Sequence, residues 1–157
     1  MVVAVAELLY DKDLTVIIDE PVDCEHVESV LAQVLLDRGL VRDTYAQAIA
    51  DREKSYPTGL DAGGICLAMP HCDVEHVVSG AICVGVLKSP VAWGRMDAPE
   101  ETCEVSLVVM LALNEAHAHL EMLQKVVGLI QDQDLMGRIV ASSTPAEAYE
   151  LIGARLA

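Results

Sequence analysis

Hydrophobic and polar positions follow two rhythms along this chain, one of strands and one of helices. Leu14-Thr15-Val16-Ile17-Ile18 is a short β-branched run closed by Asp19, Glu20 and Pro21, which predicts a strand and then a turn. Asp23 then stands as an N-cap before Val27, Val30, Leu31, Val34 and Leu35, an apolar stripe at helical spacing that stops at Gly39. A second helix is predicted from Asp43 to about Glu53, with Tyr45, Ala48 and Ile49 on one side. The stretch SYPTGLDAGG (55–64) reads as a loop by its proline and three glycines. The run 65–69 reads as a strand ended by Pro70, which cannot donate to a sheet ladder, so His71 falls on the loop beyond it.

Residues 79–87 and 103–113 are two more buried strands, with Pro90, Trp93-Gly94 and the acidic stretch 97–101 in their connection. Asn114 is placed to cap a helix over 117–131. Thr144, with Pro145 at the first helical position and Glu147 three residues on, forms a capping box for a last helix ending near Leu156. Strand, helix, helix, strands, helices is not a regular βαβ repeat. It predicts an α/β fold, a single-domain sandwich with a mixed β-sheet flanked by α-helices, with residues 1–157 as one unit.

Composition narrows the function. Just over half of the 157 residues are hydrophobic, but four Tyr and one Trp are the only aromatics, so the core must be aliphatic. The stretch VSLVVMLAL (105–113) is far short of the roughly 20 apolar residues that span a bilayer, and the N-terminal residues lack a basic leader and a cleavage site. The expectation is a cytoplasmic protein. Five cysteines without a CxxC pair read as reduced, mostly buried thiols. A net charge of −15 repels nucleic acid and anionic membranes.

The candidate chemistry centres on His71 in Ala68-Met69-Pro70-His71-Cys72-Asp73. A histidine on a loop past a strand end can be a turn residue, a metal ligand or a nucleophile. His71, Cys72, Asp73 and His76 are all competent metal ligands, but neighbours in extended chain point to opposite sides, so His71 and Cys72 do not converge on one ion. Neutral imidazole, with an unperturbed pKa near ~6.5, is a good nucleophile at neutral pH. His119 shares a helix face with Met122, Leu123, Val126 and Ile130, whereas His117 sits with the polar Glu121, Gln124 and Lys125. Arg52 supplies the planar fork suited to a phosphoryl group. A loop histidine, an inward-facing histidine and an arginine are the parts of a phosphohistidine carrier, which calls for no metal and no cofactor when those donors neutralise the phosphoryl charge.

Three motifs in order, Arg52-Glu53-Lys54-Ser55-Tyr56-Pro57-Thr58-Gly59, Ala68-Met69-Pro70-His71 and His119-Leu120-Glu121-Met122-Leu123, resemble the enzyme IIA domain of the bacterial sugar phosphotransferase system, fructose/mannitol class. The TyrProThrGlyLeu wording and the His71-Cys72-Asp73 continuation look most like its galactitol-type branch. The resemblance implies a mixed sheet flanked by helices, and a histidine that accepts phosphoryl from the phosphocarrier protein HPr and passes it to a cysteine of a IIB component. Carried over by position, His71 is the phosphorylated nucleophile, Arg52 and His119 stabilise the phosphoryl group, and Thr58 lies in the loop near them. Membrane association would then be peripheral, through the permease alone. The fructose branch has Gly where this chain has Cys72, which bears on the sugar rather than the chemistry. A regulatory relay of the nitrogen type, in which phosphorylation switches a partner, is the alternative role.

Overall fold

The structure is a computed structural model that describes residues 3–5, 8–115 and 118–156, with side chains described for 8–115 and 120–156. Among these, seven strands and five α-helices run in the order β1 (Val3–Val5), β2 (Leu8–Tyr10), β3 (Thr15–Ile18), α1 (Cys24–Asp37), α2 (Tyr45–Ser55), β4 (Gly59–Leu60), β5 (Cys66–Ala68), β6 (Ala81–Gly94), β7 (Thr102–Ala112), α3 (Ala118–Gln131), α4 (Gln133–Val140) and α5 (Pro145–Leu156). The strands form one mixed sheet in the order β1-β2-β6-β7-β5-β4, with β3 also on β6. β2 and β3 lie end to end along one edge of β6, both parallel to it, while β7 runs antiparallel along the other. β5 then pairs in parallel with β7, and β4 closes the far edge. The α/β sandwich with a mixed sheet is the architecture expected.

Every residue from Ala81 to Leu87 and from Val105 to Leu113 is buried, so the central pair is covered on both faces rather than alternating. Two helix groups supply the cover. α1 packs on β6 and on α2, whereas α4 packs on β6, α5 on β3, and α3, α4 and α5 on one another. α1 buries Val27, Leu31, Ala32 and Leu35, the stripe read from the sequence, and also Glu28. Asp23 caps it as expected, accepting from the His26 N–H at 2.8 Å, a contact worth about 1 kcal/mol. Gly39 ends it with a φ of +70°, a conformation that a side chain would strain.

The structure departs from the sequence reading in several places. β1, β2 and α4 were not expected, and the loop 55–64 contains the short strand β4. β6 does not end at Leu87. It runs through Pro90 to Gly94, with a register shift between Val86 and Val91 that releases Pro90 from donating to the ladder. The second helix starts at Tyr45, and Thr44 makes no side-chain cap. α3 is described from Ala118 on, and the expected cap by Asn114 falls at residues 116 and 117, outside the described residues. At α5 the Thr144 hydroxyl does accept from the Glu147 N–H, but the Glu147 carboxylate reaches back to the Ser143 N–H.

Candidate phosphoryl-transfer site

β5 ends at Ala68, and the chain turns away from the sheet edge at Pro70. The Pro70 carbonyl is still held by the Leu111 N–H of β7 at 2.9 Å, which anchors the loop one residue before the histidine. His71 is buried, with 8% of its surface exposed. Its Nδ1 lies 2.9 Å from the Met69 carbonyl oxygen. A carbonyl only accepts, so Nδ1 carries the proton and the neutral ring has its lone pair on Nε2.

His71, Cys72, Asp73 and Val74 from this loop, Arg52 from α2 and Leu113 and Glu115 from the end of β7 line a cavity of about 150 Å³. Arg52 is half-exposed. Its guanidinium stacks 5.6 Å above the Tyr56 ring and stands 3.8 Å from the exposed Asp73 carboxylate, a loose pair that leaves the fork available to another anion. The Arg52 Nε is buried with no hydrogen-bond partner among the described residues. Burial first, and then the Asp73 charge, push the Cys72 thiol up to about 12, so it stays protonated and is no competing nucleophile. The loop residues weighed as metal ligands diverge: His71 bonds the Met69 carbonyl, Asp73 faces Arg52, and His76 Nδ1 meets the Thr44 hydroxyl at 2.8 Å.

Thr58 does not line this cavity. It sits behind it, almost fully buried, with its hydroxyl and N–H both donating to Glu53 at 2.9 and 2.7 Å. The same hydroxyl accepts the Met69 N–H at 3.2 Å. The His119 side chain and all of His117 lie outside the described residues. Further along α3, Met122, Val126 and Ile130 are buried.

The family described as "Phosphoenolpyruvate-dependent sugar phosphotransferase system, EIIA 2" matches residues 9–154. The chain belongs to this family. As an EIIA domain it is a phosphotransferase component that carries phosphoryl groups in the sugar phosphotransferase system. It is 29% identical over 119 residues to the galactitol-specific EIIA component of Escherichia coli K12, covering 76% of this chain and 79% of that protein. It is 28% identical over 115 residues to the nitrogen regulatory protein of Klebsiella oxytoca, covering 73% and 68%. Its fold superimposes on one chain of the complex of enzyme IIA mannitol and phosphorylated enzyme IIB mannitol from Escherichia coli with a TM-score of 0.72 at 21% identity, over 93% of this chain and 97% of that one.

The sequence reading of this EIIA domain missed a second cavity. It measures about 160 Å³ and is lined by Cys24, Glu25, Glu28, Glu53, Pro57 and Trp93 among others. Trp93 Nε1–H donates to Glu53 at 2.5 Å, and Glu53 is 9% exposed. Burial pushes the Glu53 carboxyl upward, while the Trp93 and Thr58 donors pull it back. Glu28 has no such donors among the described residues. Burial, reinforced by the Glu53 charge, raises it to about 8. Its signal was in the sequence, since Glu28 falls within the Val27–Leu31–Leu35 stripe and Glu53 continues the Tyr45–Ile49 spacing.

Proposed function

We propose that His71 carries the phosphoryl group of this EIIA domain on Nε2, taking it from phospho-HPr and passing it to the cysteine of a IIB component during uptake of a galactitol-like sugar alcohol. The hydrogen bond from Nδ1 to the Met69 carbonyl is the observation that carries the reading, because it fixes the ring with its lone pair on the other nitrogen. In the first half-reaction the Nε2 lone pair forms a bond to phosphorus as the bond from phosphorus to the HPr histidine breaks. In the second the IIB thiolate attacks the same phosphorus and Nε2 leaves with its electron pair. Arg52 and His119 neutralise the equatorial oxygens in both. Val74 and Tyr56 are exposed beside the cavity and offer apolar surface to docking partners. The chain works in the cytoplasm on this reading, and reaches the membrane through its permease.

The galactitol relative supports the sugar class, and the mannitol IIA–IIB complex supports a IIB partner for this fold. The match to the nitrogen regulatory protein supports a second reading, in which the phosphorylation state controls a partner protein. Incubation with phosphoenolpyruvate, enzyme I and HPr tests the site. One phosphoryl per chain is expected, labile in acid and stable in base, and absent from His71→Ala. Wild-type labelling of His71→Ala would sink the assignment. Onward transfer to a purified galactitol IIB domain separates transport from regulation.

A further inference from the structure

We infer that Glu53 is a positioning residue for the phosphoryl-accepting histidine, acting through Thr58 and the Met69 backbone. The inference rests on His71 as the nucleophile. Five residues form a path of hydrogen bonds joined through the Met69 backbone. The indole N–H of Trp93 donates to Glu53, and so do the N–H and hydroxyl of Thr58. The Thr58 hydroxyl has spent its only proton on Glu53, so its lone pair must face the Met69 N–H, which it accepts at 3.2 Å. Met69 in turn presents its carbonyl to His71 Nδ1.

Every donor in this path points toward Glu53, and among the described residues each group bonded to its oxygens donates to them, so the carboxylate form fits the arrangement. A carboxylate there sets the direction of the Thr58 hydroxyl, and the hydroxyl fixes the residue whose carbonyl selects the ring tautomer. The close packing of the loop agrees with this role. A side chain on Gly59 would come within 2.5 Å of the Gly94 carbonyl, so Thr58 is held against the strand that carries Trp93. Partners that orient a reactive histidine from behind change activity by roughly 10- to 100-fold when removed.

The test uses Glu53→Ala, Glu53→Gln and Thr58→Val in the full chain, with transfer from phospho-HPr and the ¹⁵N spectrum of the His71 ring read side by side. Glu53→Ala and Thr58→Val are expected to slow transfer on the order of 10-fold or more and to lower the share of ring protonated at Nδ1. Glu53→Gln keeps an acceptor for Trp93 and the Thr58 N–H, and should recover part of the rate and of the tautomer. Trp93 is the sole tryptophan, so its single indole N–H resonance should move when the wild type is phosphorylated. That response should be lost in Thr58→Val. Wild-type rate and tautomer in Thr58→Val would overturn the inference while His71→Ala remains inactive, whereas an active His71→Ala would overturn the site itself. Should Glu53→Ala fail to fold, Thr58→Val and Glu53→Gln still decide.

Discussion

Two cavities meet at the end of α2, and consecutive residues serve them. Arg52 opens onto the cavity of His71, while Glu53, about 100° further round the helix, closes the cavity of Glu28 and Trp93. The first has its cation half-exposed, loosely paired and free to engage an incoming anion. The second has its carboxyls buried, one held by three donors and the other, among the described residues, by none. The difference separates binding from support: a site that exchanges a dianion keeps its charge near water, and the structure that aims it sits out of water.

The largest effect should come from Arg52. Arg52→Ala is expected to slow phosphoryl transfer on the order of 100-fold, about 3 kcal/mol, without lowering the melting temperature, because its pairing to Asp73 is weak. Arg52→Lys should recover only part, since a point charge lacks the fork. A large loss of stability with unchanged transfer would reverse the comparison.

Glu28 sharpens the other side. Its carboxyl is raised from an ordinary 4.5 to about 8, so the folded chain holds a proton that the unfolded chain releases. The stability this contributes is full below about 4.5 and is lost as the pH rises toward about 8. Glu28→Gln should therefore flatten that decline and stabilise the protein by roughly 1–4 kcal/mol at pH 8, with little change at pH 4. Denaturant unfolding across the pH range checks the slope, and transfer rates should stay near wild type. Asp73→Asn should have the smallest effect. It removes a largely exposed partner at 3.8 Å and should shift stability by less than ~0.5 kcal/mol, leaving any rate change to the lost negative charge beside the cavity.

The outline of the candidate site was legible because its residues announce themselves by type and punctuation. Pro70 ends a strand, His71 follows it, and Arg52 sits at the end of an amphipathic helix. The supporting layer went unread, although Glu28 and Glu53 fall on the apolar stripes of α1 and α2, because a carboxylate does not announce its burial by type. Glu53 marked only the end of a predicted helix, and Trp93 was assigned to a connection that proved to be strand. Pro90 misled here, since a proline normally closes a strand and only the register shift lets β6 continue. The N-terminal strands escaped because three-residue runs carry too little periodicity to be told from loop.

The parallel pairing of β5 with β7 also sets an order of assembly. Cys66 meets Val105 and Ala68 meets Val108, and the Pro70 carbonyl is fastened by Leu111. The loop of His71 is therefore synthesised well before the strand it leans on. On a ribosome that adds about 5–20 residues each second, this segment waits several seconds without a sheet edge, and only completion of β7 gives the histidine a fixed address. The β6–β7 hairpin, local in sequence, is the natural nucleus, and the pairings of β3 and β5 onto it close long loops late. A chain interrupted before β7 would contain Arg52, Glu53, Thr58 and His71 and still have no site.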